Sequence, residues 1–263
     1  MERPIFVFAC GWRSGSTLVQ RLLCSHPDIH IWGENRGLCD GLERLHGEIE
    51  RLQPLSALAG REFRAMGVNA WTAMLNPPAE HFREGISALM DRYFGAPVRA
   101  MGKSRWGFKE VRHGAGTVKF LRHLFPDARF LLLVRDPRAC LASARATTVP
   151  EQTAGLLPEV GGAATFLDHW AHIAASFLEP LDGDVAMTVR YEDMVVAPGT
   201  FVDRLGRFLD APAAGFSSKV FAVGRRGWLE EEPRLTTQDL ECLVAAPIWQ
   251  VAHRFGYACD RSG

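Results

Sequence analysis

The chain of 263 residues carries no excess of charge, with 30 Lys and Arg set against 30 Asp and Glu. That argues against a protein that coats nucleic acid, which needs a basic face. It leaves room for a local basic pocket that takes a small anion. No apolar run reaches the length that spans a bilayer. The first apolar run, residues 5–10 (IFVFAC), is short and leads straight into a Gly-rich turn, so neither a signal peptide nor a membrane span is expected. The six cysteines, Cys10, Cys24, Cys39, Cys140, Cys242 and Cys259, form no CxxC pair. Zinc and dithiol redox readings from cysteine are weak for that reason, and a cytoplasmic protein with reduced thiols is expected. Repeats, heptad arrays and low-complexity tracts are also missing.

What is present is a steady alternation of buried strands and amphipathic helices. Residues 5–10 read as a buried strand, 11–17 as a turn, and a helix follows from about Ser16 with Leu18, Val19, Leu22 and Leu23 on its apolar face. Residues 29–32 form a short second strand. In 35–103, Pro54, Pro77, Pro78 and Pro97 interrupt mixed helical patterns, so helices and loops covering one end of the sheet are expected there. Strands follow at 106–111, 129–134 and 185–190. Asp136-Pro137 reads as an N-cap and first-turn proline opening a helix through Ala144. Residues 150–162 read as a loop. Later helices centre on Phe166 to Phe177 and Phe201 to Leu209, and Thr236 or Thr237 caps a last one that Pro247 kinks. The fold class is α/β, a central parallel sheet with helices on both faces. One domain over 1–263 is expected, with ligands beyond the carboxyl ends of the strands.

The turn at 11–17, GWRSGST, carries the clearest chemistry. A Gly-rich loop at a helix N-terminus aims backbone N–H groups at an anion, and the helix dipole adds to the attraction. Ser14, Ser16 and Thr17 add hydroxyls around Gly15, and Arg13 adds a planar, permanent cation. The loop departs from G-x-x-x-x-G-K-[ST]. Aligning Gly15 with the second glycine puts Cys10 at the first and Ser16 where the lysine belongs. A nucleoside triphosphate site would lack its lysine. A donor with a single 5′-phosphosulfate carries less charge and needs no metal.

Several segments together resemble the family of sulfotransferases that use 3′-phosphoadenosine-5′-phosphosulfate (PAPS). The strand, RSGST loop and helix resemble its 5′-phosphosulfate loop. LVRDPR at 133–138, with Ser143 eight residues after Arg135, resembles its 3′-phosphate motif. VRYEDM at 189–194 resembles its later strand-end signature, and GRRG at 224–227 falls where the family carries a basic loop over the nucleotide. The resemblance implies a P-loop-like sulfotransferase architecture and an in-line transfer of a sulfuryl group to an acceptor hydroxyl. It assigns donor binding to Arg13, Ser14, Gly15, Ser16, Thr17, Arg135, Ser143, Tyr191, Arg225 and Arg226.

Arg13 is expected to stabilise charge on the leaving phosphate oxygen, electrostatically only, since arginine does not give up its proton. Lys109, in WGFKE at 106–110, resembles a second sulfate-binding cation. Glu34, in HPDIHIWGE at 26–34, is similar to the catalytic glutamate of tyrosine-sulfating and some bacterial relatives, and burial is expected to raise its pKa into a useful range. Cytosolic relatives use a histidine where this chain has Val111; Glu110 and His113 stand as alternative bases. The acceptor is a small molecule, a sugar or a peptide tyrosine, not a nucleic acid. Residues 35–101 and 150–162 are expected to shape its pocket, with Trp71, Phe82, Tyr93 and Phe94 as ring-binding candidates. The competing readings are a P-loop kinase or NTPase, which needs the missing lysine, and a nucleotide-binding scaffold, which has no use for Arg13, Lys109 and Glu34 together.

Overall fold

The structure is a computed structural model that describes residues 3–146, 156–181, 184–226, 235–245 and 247–258. In chain order the elements begin β1 (Ile5–Ala9), α1 (Ser16–Cys24), β2 (Ile29–Trp32), α2 (Leu38–Met66), α3 (Ala79–Met90), α4 (Ala96–Ala100) and β3 (Arg105–Glu110). They continue with α5 (Ala115–Leu124), β4 (Arg129–Val134), α6 (Pro137–Arg145), α7 (Leu156–Glu159), α8 (Gly162–Ser176) and β5 (Ala186–Arg190). The last are α9 (Tyr191–Val196), α10 (Pro198–Leu209), α11 (Lys219–Arg226), α12 (Thr237–Ala245) and α13 (Ile248–Arg254).

The strands form one five-stranded sheet in the order β2-β3-β1-β4-β5, and every pairing is parallel. β1 is buried at every residue, as a strand covered on both faces must be. Its side chains alternate. Phe6 and Phe8 join Trp106, Phe108 and Phe130 under α5 and α8, while Ile5, Val7 and Ala9 pack with Val19, Leu22 and Leu205 under α1 and α10. The Phe6 and Phe108 rings sit 4.8 Å apart. Each such buried ring contributes about 1.5–3 kcal/mol of transfer free energy.

Strand order also locates the ligand crevice. The chain leaves β1 toward β2 on one side and leaves β4 toward β5 on the other. Neighbouring strands whose connections diverge open a crevice at their carboxyl ends. The loop of residues 10–15 and the segment Arg135-Asp136 emerge there.

Three expectations are corrected. Pro54 does not interrupt a helix, because α2 runs through it for 29 residues. Pro54 lies on an exposed side, where water can take the carbonyl that loses its partner. Within 150–162, residues 156–159 form the helical turn α7, while 147–155 lie outside the described residues. The third concerns 79–100, which cover the amino-terminal end of the sheet, away from the crevice. Ser87 of α3 donates to the Leu124 carbonyl at 3.1 Å, and Phe94 stacks on Trp106, near the start of β3, at 5.8 Å. Phe94 is therefore a core residue, and Trp71, Phe82 and Tyr93 are exposed. At the C-terminal end, Thr236 and Asp239 exchange hydrogen bonds (2.9 and 3.2 Å), a capping box that opens α12. Pro247 sits at the N-cap of α13 and so separates two helices. Among the described residues no helix is long and apolar enough to cross a membrane.

Candidate active site

The turn after β1 is held in an unusual backbone. Arg13 has φ 65° and Gly15, the N-cap of α1, has φ 93°. A non-glycine residue in the left-handed region costs about 1–3 kcal/mol and persists only where its surroundings over-determine it. Here they do. Arg135 Nη1 donates to the Arg13 carbonyl at 2.9 Å, and the Ser14 hydroxyl donates back to the Gly11 carbonyl. Ser14 is fully buried, so its hydroxyl proton is spent closing the loop and is not offered to a ligand. Ser16 is buried at the first turn of α1, and Thr17 is exposed.

Gly15 answers a second constraint. A Cβ there would sit 2.3 Å from Cδ2 of Tyr191, so the edge of the tyrosine ring closes against the loop. The Arg135 guanidinium lies over the Tyr191 ring, 4.2 Å from its centroid. Arg13 Nε donates to Ser143 Oγ at 3.0 Å. Arg13, Gly15, Arg135, Ser143 and Tyr191, predicted from three separate motifs, are thus brought into one cluster. Burial, and then the Arg135 charge, lower the Arg13 guanidinium from its ordinary value. Two guanidiniums held this close prepare the crevice for an anion.

The Arg135 position is itself braced. Trp170 Nε1 donates to its carbonyl at 3.1 Å. Asp136 caps α6 as predicted, accepting from the Arg138 N–H at 2.8 Å. The Asp136 N–H donates to Glu192 Oε1 at 3.0 Å, and the Tyr257 hydroxyl donates to Glu192 Oε2 at 2.7 Å. Glu192 therefore ties the end of β4 to the C-terminal region, a role that its place in VRYEDM did not announce.

Glu34 follows β2 and reaches across to β3. Lys109 Nζ donates to its Oε1 at 2.6 Å, and Arg112 Nη1 donates to its Oε2 at 2.5 Å. Burial pushes the Glu34 carboxyl up, but the bonds and charges of Lys109 and Arg112 outweigh it and hold the group below its ordinary value. The expected upward shift is therefore reversed, because the same burial that desolvates Glu34 brings two cations onto it. Arg112 was missed in the sequence. Its one signal is a cation three residues past Lys109 in the loop that leaves β3. It joins the two halves of the site, since its guanidinium also lies 5.6 Å from the Trp12 ring in the β1 turn. Trp12 packs against His169 at 4.4 Å, and His169 Nε2–H donates to the Val111 carbonyl at 2.9 Å.

The alternative bases have other work. Glu110 is fully buried and its Oε1 accepts from the N–H groups of Asn35 (2.6 Å) and Arg36 (3.3 Å). It fixes the turn after Glu34, where Arg36 takes φ 48°. His113 Nδ1 faces Asp40 Oδ1 at 3.1 Å. The segment 224–226 is the end of helix α11 where a loop was expected; Gly227 and the side chains of Arg225 and Arg226 lie outside the described residues.

Protein-tyrosine sulfotransferase 1 of Danio rerio is 26% identical over 217 residues, which cover 80% of this chain and 54% of that protein. Protein-tyrosine sulfotransferase A of Caenorhabditis elegans is 25% identical over 210 residues, covering 79% and 50%. The chain spans about half the length of these curated relatives. Among solved structures, the sulfotransferase domain of the Synechococcus PCC 7002 olefin synthase aligns with a TM-score of 0.53 at 19% identity, covering 98% of this chain and 97% of that one. The sulfotransferase from Alicyclobacillus acidocaldarius aligns with a TM-score of 0.51 at 16% identity, covering 97% and 96%. These two likenesses show a common fold. The sequence model described as "Sulfotransferase family" matches residues 4–215, from β1 through α10, and the chain belongs to that family.

Proposed function

We propose that the chain, acting as one domain over 1–263, is a sulfotransferase that moves a sulfuryl group from PAPS to an acceptor hydroxyl. The observation that carries this reading is the 3.0 Å contact of Arg13 with Ser143 beneath Arg135. Through it, the loop after β1 and the helix after β4 offer their anion donors to the same crevice. The donor set fits a nucleotide with phosphate at two places: the N-terminus of α1 with Arg13 for the 5′ end, Arg135 and Ser143 for the 3′ phosphate, and the Tyr191 face between them. When bound, PAPS supplies the sulfuryl group and departs as adenosine 3′,5′-bisphosphate.

Catalysis then rests on positioning and on charge. Arg13 stabilises the negative charge that grows on the leaving side. Lys109 and Arg112 supply cations at the acceptor side, and the cationic duties are all met by side chains, so the reading calls for no metal. Glu34 takes the acceptor proton. Held low by two cations, it is ionised at neutral pH and is a weak base at rest. Any anion that draws Lys109 away frees one carboxylate oxygen and raises its proton affinity, which times the base to the filled site. The protein-tyrosine relatives make a phenol the first acceptor to try.

The test is calorimetric titration with adenosine 3′,5′-bisphosphate, 5′-AMP and Mg-ATP. Tight, metal-independent binding of the bisphosphate is expected. A preference for Mg-ATP, or binding of none of the three, would overturn the reading.

A further inference from the structure

Away from the crevice, a second cluster joins α2 to α5. His46, Glu50 and His123 each present one ligand atom, and these atoms all lie within 4.8 Å of one another. His46 and Glu50 are one helical turn apart and so share a face, with His46 Nε2 at 3.5 Å from Glu50 Oε1. That nitrogen is buried and has no hydrogen-bond partner among the described residues, a condition that native proteins rarely leave unexplained. The His46 ring is fixed between Phe120, at 5.6 Å, and the His123 ring, at 5.5 Å and 69°.

Two imidazoles and one carboxylate on rigid helices are a donor set of borderline softness. Three such ligands with water in the fourth position suit zinc, whereas magnesium and calcium call for oxygen alone. We propose that His46, Glu50 and His123 form a binding site for one divalent transition-metal ion of the zinc type, which staples α2 to α5. Arg83 Nη1 now lies 3.2 Å from His123 Nε2 and yields that contact when the ion enters. His123 and Arg83 both line a cavity of about 1090 Å³, which gives the ion a path from solvent. The staple reinforces the hydrogen bond from Thr117 to Glu43 at 3.2 Å. It steadies the helix that follows directly on the Glu34 turn.

The experiment titrates the metal-free full chain with Zn²⁺ by calorimetry and with Co²⁺ by visible absorption. One ion per chain is expected, with the intense absorption of four-coordinate Co²⁺ and a rise in Tm on adding Zn²⁺. His46→Ala and His123→Ala should each weaken Zn²⁺ binding at least about a hundredfold, the upper range for loss of even an outer-shell partner. They should also abolish the Tm rise and leave bisphosphate affinity unchanged. Glu50→Gln, at an exposed position, should weaken Zn²⁺ at least about tenfold and keeps the test alive if a histidine variant misfolds. Equal Zn²⁺ affinity in wild type and variants, no binding at all, or a thiolate-to-Co²⁺ charge-transfer band would overturn the proposal.

Discussion

Replacing Arg135 with alanine tests the nucleotide reading at its most exposed point. Among the contacts of Arg135 in the free protein are a charge-assisted bond to the Arg13 carbonyl and a stack on Tyr191. Against these stands its repulsion of Arg13, which helps to lower that guanidinium. Removing Arg135 forfeits about 1.5–3 kcal/mol for the charged bond and about 0.5–1 kcal/mol for the stack, but it relieves the repulsion, so the stability loss is smaller than the sum. A bound 3′-phosphate reverses the balance, because the anion turns two crowded cations into two partners. The loss in bisphosphate affinity is then about 1.5–3 kcal/mol, or roughly ten- to hundredfold in Kd. 5′-AMP lacks the 3′-phosphate and reports only on damage to the β1 loop. Calorimetry of wild type and Arg135→Ala with both ligands should show a bisphosphate loss exceeding the AMP loss by about tenfold or more. Equal losses would make Arg135 a brace for the loop and nothing else, and unchanged bisphosphate affinity would remove the 3′-phosphate assignment.

Glu34→Gln should cut sulfuryl transfer to a phenol by about 10²–10⁴-fold, the usual worth of a general base, with bisphosphate affinity nearly unchanged; near-normal turnover removes Glu34 as base. The direction of its pKa shift also sets a pH dependence. A carboxyl held below its ordinary value stabilises the fold above the unfolded pKa, and that stability is lost as pH falls through the folded pKa. Wild type should therefore lose Tm faster than Glu34→Gln below about pH 4.3, the ordinary glutamate value; parallel curves would mean that Lys109 and Arg112 do not hold the charge. Gly15→Ala places a Cβ 2.3 Å from Tyr191 in a left-handed backbone. It should cost about 1–3 kcal/mol of stability and weaken AMP as well as bisphosphate, and a Tm and affinities equal to wild type would contradict the close seating of Tyr191.

The β1 turn and the Arg135 strand end were legible for local reasons. Apolar runs of strand length stop at Gly11 and at Arg135, and Asp136-Pro137 is a helix start that needs no tertiary information. The resemblance then joined segments that periodicity could not connect. What stayed hidden depends on contacts across the sheet. Arg112 reads as one more surface cation until β2 and β3 are paired, which brings Glu34 within 2.5 Å of it. The same pairing makes Glu110 a brace for the Asn35-Arg36 turn. Pro54 misled because a rule about helix interiors ignores which side faces water.

The reversed shift at Glu34 bears on how a chain of zero net charge would build the proposed anion site. Formal neutrality averages over regions that differ sharply. In the crevice between β1 and β4, Arg13 and Arg135 crowd together, and the proposed donor would bring them a further counter-charge. Beyond Trp12, Lys109 and Arg112 already have one in Glu34. The two clusters communicate through one cation, because Arg112 touches both Trp12 and Glu34. An anion entering the first cluster would lower the potential felt by the second and so raise the proton affinity of Glu34. On the proposed mechanism, that rise comes when an acceptor hydroxyl needs a base. An isolated buried glutamate, the arrangement expected from the sequence, would be basic at all times and would be costly to keep ionised. Pairing it with Lys109 and Arg112 holds the carboxyl below its ordinary value and, on the proposed mechanism, keeps it inert until the donor site fills.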